Sequence, residues 1–128
     1  MTQVDLLTDS RPLVGGLRIA ETSLGARDHV NPATRKVQAR VEIGGAAEID
    51  QALAAAVEGQ RAWAEFGPTR RRDCLSRLAD LVERDVDWFN RVAALEVGTP
   101  LAVGGPALAL SSLRYYAGLA DKVEGSVT

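Results

Sequence analysis

The run Val37-Gln38-Ala39-Arg40-Val41-Glu42-Ile43-Gly44-Gly45-Ala46-Ala47-Glu48-Ile49-Asp50 decides the fold class, because the apolar period changes inside it. As far as Ile43, apolar and polar residues alternate strictly, which is the period of a strand with one covered face. Gly44-Gly45 ends that pattern. From Ala46 the apolar positions Ile49, Leu53, Ala56, Val57, Trp63 and Phe66 fall on one broad helical stripe. Glu48 and Asp50 stand in the first turn, where the helix dipole favours negative charge, and Gly67-Pro68 stops the helix. A strand feeding directly into a long helix predicts an α/β fold.

Toward the N-terminus, His29-Val30-Asn31-Pro32-Ala33-Thr34 starts a turn, since proline holds the preceding residue extended. Glu21 to Asp28 reads as a loop. Leu13-Val14-Gly15-Gly16-Leu17-Arg18-Ile19 reads as a tight hairpin whose two glycines can take positive φ, and residues 1–12 as a loose tail. Toward the C-terminus, Thr69 is placed to cap a second helix with Cys74, Leu75, Leu78, Leu81 and Val82 on its buried side. Trp88, Phe89, Val92 and Leu95 form a third helical face that ends at Gly98-Thr99-Pro100. Gly104-Gly105-Pro106 opens a last helix, which Lys122 and a left-handed Gly125 are suited to close. That helix is apolar nearly all round through Leu108, Leu110, Tyr115, Tyr116 and Leu119, so it demands cover on every side. The expected architecture is a short β-hairpin and one further strand followed by about four helices, in one structural unit spanning residues 13–128.

A net charge of -2 gives no electrostatic footprint for nucleic acid or an anionic membrane surface, and both partner classes are dropped. One cysteine and one histidine exclude an internal disulfide and make a zinc site implausible. No apolar run reaches the roughly 18 residues of a membrane span, and residues 1–10 lack the pattern of a signal peptide, so a cytoplasmic location is expected.

Taken in order, the Asn31-Pro32-Ala33-Thr34 turn, the strand, Gly44-Gly45-Ala46-Ala47-Glu48-Ile49-Asp50, Arg77-Leu78-Ala79-Asp80-Leu81-Val82-Glu83-Arg84, Leu95-Glu96-Val97-Gly98-Thr99-Pro100 and Leu113-Arg114-Tyr115-Tyr116-Ala117-Gly118 resemble the N-terminal part of the aldehyde dehydrogenase superfamily. Each piece is weak alone; their order and spacing carry the likeness. It covers the chain from Leu13 onward but about the first quarter of a family member, an incomplete part of the cofactor-binding domain. The resemblance implies a full-length enzyme that binds NAD or NADP, oxidises a small aldehyde to a carboxylic acid and forms a homo-oligomer. It also implies that the oxyanion asparagine, glycine-rich cofactor loop, general-base glutamate, nucleophilic cysteine and oligomerisation hairpin lie outside this stretch. The chain alone is therefore expected to be inactive and to hold no cofactor, with the remainder of a dehydrogenase, or an apolar protein partner, covering its helices. Two departures stand out: Arg35-Lys36 replaces a glycine usual after the turn, and Gly104-Gly105-Pro106 interrupts a helix that commonly starts earlier.

The resemblance places Glu96 near a monovalent-cation site of some members, against the alternative of a plain helix-terminal carboxylate. It places Leu108 and Ser112 where the corresponding helix lines an outer substrate tunnel, against ordinary core packing. No catalytic residue is assigned. Cys74 follows Arg70, Arg71 and Arg72, which could lower its pKa, but it shares a face with Leu78 and Leu81 and reads as a buried structural thiol. The arginines read as a solvated helix start. His29 has no partner spaced to form a catalytic unit, and Glu83, Asp85 and Asp87 point to different sides of a helix junction. The pairs Gly15-Gly16, Gly44-Gly45 and Gly104-Gly105 serve turns rather than phosphates. A second reading, from a different class, is a non-catalytic helical module that binds a partner through exposed apolar surface.

Overall fold

The computed structural model describes residues 10–122. The chain is α/β, with two small antiparallel sheets followed by four helices. Strands β1 (Leu13–Val14) and β2 (Leu17–Arg18) form the first sheet. Gly15 and Gly16 turn between them with φ of 58° and 84°, the paired positive values that match the twist of the flanking strands. A Cβ on Gly15 would lie 3.6 Å from the Cβ of Ala55, so the hairpin leans on the first helix. Of the expected tail, Ser10 donates to the Arg40 carbonyl and the Pro12 carbonyl accepts from Ile19; residues 1–9 lie outside the described residues.

Strand β3 (Ala26–Val30) pairs with β4 (Val37–Glu42) from Ala26↔Glu42 to Val30↔Val37, with a register shift at His29/Val30. The expected loop from Glu21 to Asp28 therefore ends in a strand. Its residues lack apolar alternation because the backbone ladder to β4, rather than a covered face, holds them. Asn31 organises the turn between the strands. Its side-chain oxygen accepts the N–H groups of Ala33 and Thr34, each at 2.9 Å, its carbonyl accepts Arg35 N–H, and its own N–H donates to Lys36. Arg35 has φ of 58°, which accounts physically for glycine being usual at this point of the turn.

Helix α1 (Ala46–Glu65) begins on Gly45, and the Glu48 carboxylate returns to accept the Gly45 N–H at 2.7 Å. Helix α2 (Pro68–Arg84) is preceded by Gly67 as N-cap with Pro68 in the first turn, so Thr69 lies inside the helix and is not its cap. The arginines are not merely solvated. Arg71 donates to the last carbonyls of α1, Trp63 and Ala64, at 3.1 and 2.8 Å, and Arg70 stacks 3.8 Å above the Phe66 ring. Arg72 reaches Asp121 at 2.9 Å. Asp85 joins α2 to α3 (Val86–Val97), which ends on left-handed Gly98. Helix α4 (Ala107–Leu119) follows Pro106. It stops earlier than expected: the Lys122 ammonium donates to the Gly118 carbonyl at 2.6 Å, and Gly125 lies outside the described residues.

The main helical contact is between α2 and α4. Arg72 pairs with Asp121 and Glu83 with Arg114, so the two helices run antiparallel. Midway between those pairs stand the buried Ala79 and Ala117, 1% and 4% exposed. Small side chains at that point let the two backbones approach closely. Cys74 and Leu78, expected on the buried side of α2, are exposed instead; the covered line runs through Ala79.

Candidate functional site

The residues singled out in the sequence fall on two elements. Leu108 and Ser112 lie one turn apart on α4, on the side turned away from α2. With Tyr115, Tyr116 and Leu119 they span about 100° of the helix, opposite Arg114, Ala117 and Asp121. Leu108 is 78% exposed, and Tyr115 and Tyr116 are exposed and meet edge to face at 5.3 Å. Ser111, Ser112, Tyr115 and Tyr116 line an open depression of about 350 Å³. Its chemistry is that of a wall: two phenol rings and two serine side chains. Such a surface orients an apolar molecule with a polar tip.

Glu96 stands exposed in the last turn of α3, on a separate element. A carboxylate beside the helix C-terminus adds to the negative end of the dipole, which suits a cation. Among the described residues no group of three or more His, Cys, Asp or Glu gathers to cage a metal. What fixes this helix end is a hydrogen-bond chain that the sequence did not single out. The Gln38 side-chain nitrogen donates to the Leu95 carbonyl at 2.6 Å and faces His29 Nδ1 at 2.9 Å, while its oxygen accepts from Asn31 at 2.8 Å. With both Gln38 amide hydrogens so used, His29 Nδ1 acts as an acceptor, a structural role. Buried Asn31 thus ties the β3–β4 turn to the end of α3. Pro32 lies over Gly98, where an added Cβ would be 3.3 Å from the proline Cγ.

The opposite side of α4 offers a second depression, lined by Arg72, Ser76, Asp80, Arg114, Ala117 and Gly118. Its cations are already matched. Hydrogen bonds to Asp73 and then Asp121 raise the Arg72 pKa, and Arg114 meets Glu83 at 2.6 Å. Partial burial pushes Asp121 up, but hydrogen bonds and charge from Lys122 and Arg72 outweigh it and leave the carboxyl below its usual range. This is a helix–helix seam closed by its own ion pairs rather than a ligand site.

The strongest pKa shift belongs to Glu48, whose carboxyl is lowered to about 2 by the Ser23 hydroxyl, then by the Gly45 N–H, with partial burial working the other way. Ser23 contributes its Oγ at 2.6 Å and its N–H at 3.0 Å. A glycine pair between a strand and a helix is the general form of a phosphate cradle. Here the N-terminus of α1 is occupied by the chain's own carboxylate, and the Ser23 hydroxyl stands where a Gly45 side chain would go. The residues do not fit a dinucleotide. Gly15-Gly16 sits in the hairpin turn and Gly104-Gly105 precedes α4, so neither offers an alternative. Among the described residues, no helix is long and apolar enough to cross a membrane.

The fold recurs in known proteins. The profile of the aldehyde dehydrogenase family matches residues 19–128. The aldehyde dehydrogenase of Brucella melitensis biovar abortus 2308 is 30% identical and superposes with a TM-score of 0.85 over 95% of this chain and 26% of its own. PnpE from Pseudomonas sp. WBC-3 is 28% identical, with a TM-score of 0.86 over 94% of this chain and 25% of its own. A structure of PnpE in complex with nicotinamide adenine dinucleotide is 29% identical, with a TM-score of 0.86 over 93% and 25%. The chain spans about a quarter of the length of the solved structures it matches. With the family profile matched over residues 19–128 and these superpositions covering 93–95% of its length, the chain belongs to the aldehyde dehydrogenase family.

Proposed function

We propose that this chain supplies the N-terminal part of the cofactor-binding domain of a cytoplasmic, homo-oligomeric NAD(P)-dependent aldehyde dehydrogenase, over residues 13–128. The complete enzyme oxidises a small aldehyde to its carboxylic acid. A cysteine thiolate, oxyanion donors, a general base and a bound nicotinamide are needed together for that reaction. The described residues assemble none of these sets, and the α1 N-terminus is self-occupied. The chain alone is therefore inactive and binds no dinucleotide tightly. Within the whole enzyme, the α4 face bearing Leu108 and Ser112 lines the outer substrate tunnel, and Glu96 lies in the vicinity of a monovalent cation.

The observation that carries this reading is the family match over residues 19–128, joined to helices whose apolar faces are left bare. The bare faces also favour a second reading, a non-catalytic module that docks a partner through them. Calorimetric titration of NAD into the pure chain tests the main reading. No saturable heat is expected; a micromolar Kd would overturn it. A monomer with one sharp cooperative melt would favour the independent module.

A further inference from the structure

The hydrogen-bond chain that ends at His29 has a fixed direction, and the direction makes it sensitive to one proton. Asn31 sets it. The Asn31 side-chain oxygen already accepts the Ala33 and Thr34 N–H groups at 2.9 Å, so its amide nitrogen is turned to Gln38 and donates there at 2.8 Å. Gln38 must then offer its oxygen to Asn31 and its nitrogen to its other two partners. One of these, the Leu95 carbonyl at 2.6 Å, can only accept; the other is His29 Nδ1 at 2.9 Å. The link is complete only when Nδ1 carries a lone pair, which puts the one proton of a neutral ring on Nε2. The backbone aims these groups at one another. Between the pairs His29↔Ala39 and Val30↔Val37, β4 carries one residue more than β3, and that bulged residue is Gln38.

A proton taken up from solvent at Nδ1 sets an N–H against the Gln38 NH2 group. Turning the Gln38 amide over does not repair this, because its nitrogen would then meet the Asn31 NH2 group and its oxygen the Leu95 carbonyl. Turning Asn31 over as well would strip Ala33 and Thr34 of their acceptor. A charged ring and a closed link therefore exclude each other. The ring is half-buried, so solvent reaches it. Arg27 and Asp28 flank it on β3, Lys36 and Arg40 belong to the β4 side, and Arg91 and Glu96 are the charged residues nearest Leu95 along α3. Asp28 is turned to Arg40 at 3.7 Å, and among the described residues no carboxylate lies within ion-pair distance of the ring to offset its charge.

We propose that His29 is a proton-operated latch: neutral, it holds the β3–β4 hairpin to the last turn of α3; charged, it frees Gln38 from the Leu95 carbonyl and loosens that turn. The latch stands independently of either functional reading above.

The chain has one histidine, so its imidazole is observed without ambiguity. The test reads the ring tautomer by imidazole nitrogen NMR at about pH 8, and hydrogen-exchange protection at about pH 8 and about pH 5, the span over which histidine changes charge. The reporting amides are Gly98 and Thr99, which close α3 on the Ala94 and Ala93 carbonyls, with rates corrected for intrinsic exchange. The proton is expected on Nε2, and wild-type protection is expected to fall about two- to tenfold at the lower pH, the effect of one lost hydrogen bond. His29→Val has no proton to take up and should keep its protection at both pH values. Gln38→Leu should show the lowered protection at both, each variant being checked for unchanged circular dichroism. A proton on Nδ1 at the higher pH, equal wild-type protection at the two pH values, the same fall in His29→Val, or wild-type protection in Gln38→Leu refutes the latch.

Discussion

The α2–α4 seam makes a quantitative demand on Ala117. Two ion pairs, Arg72–Asp121 and Glu83–Arg114, bracket the crossing, and between them Ala79 and Ala117 are 1% and 4% exposed. Ala117→Leu adds three carbons where there is no room, and overpacking of this kind costs about 1–3 kcal/mol. At this length a loss of that size lowers the melting midpoint by roughly 4–12 °C. Ala79→Leu should do the same. The double variant should cost less than the two singles combined, because helices already forced apart accept the second side chain cheaply. Urea titration followed at 222 nm measures all three changes. Arg114→Ala serves as the control: its ion pair is exposed on both sides, so its effect should be smaller and should shrink with salt. An Ala117→Leu chain as stable as wild type, or strictly additive losses, would refute the close crossing.

Other sites give sharper single outcomes. Arg35→Gly relieves a left-handed residue and should be neutral or stabilising by up to about 1 kcal/mol in urea titration, the strain relieved being partly offset by the freer unfolded chain. Gly98→Ala places a methyl group in left-handed backbone against Pro32 and should cost about 1–2 kcal/mol in the same assay. The Glu48 carboxyl, lowered from 4.5 to about 2 on folding, contributes stability that is complete above the unfolded value and disappears as pH falls through the folded one. The stability difference between wild type and Glu48→Gln should therefore narrow from pH 4.5 toward pH 2; a constant difference would contradict the assignment. Cys74 is exposed, so a thiol reagent should label it in the folded chain about as fast as in urea.

Features held by local backbone demands were legible in the sequence. Gly15-Gly16 between short apolar runs marks a turn and Gly98-Thr99-Pro100 a helix stop, and Gly15, Gly16 and Gly98 all sit at positive φ. Helices α1 and α3 followed from apolar period and stop signals. Strand β3 left no such mark, because its pairing with β4 is made by main-chain groups that any residue carries. Period also says which face of a helix is apolar without saying what covers it. Cys74 and Leu78 share the apolar face of α2, yet the covered line runs through the smaller Ala79. The support of the Glu96 region was hidden for another reason: Gln38 reaches Leu95 across 57 positions, and an amide on the polar side of a strand does not announce so distant a partner. Leu108, Tyr115 and Tyr116 stand exposed on α4, whose residue pattern is apolar nearly all round.

On the proposed function, this chain contributes framework to aldehyde oxidation while the reacting groups belong to other parts of the enzyme. It is tested most directly by incubating the pure 128-residue chain with NAD and acetaldehyde or benzaldehyde and following NADH absorbance. A rate indistinguishable from the protein-free control is expected; NADH formation that rises in proportion to the amount of chain would overturn that reading.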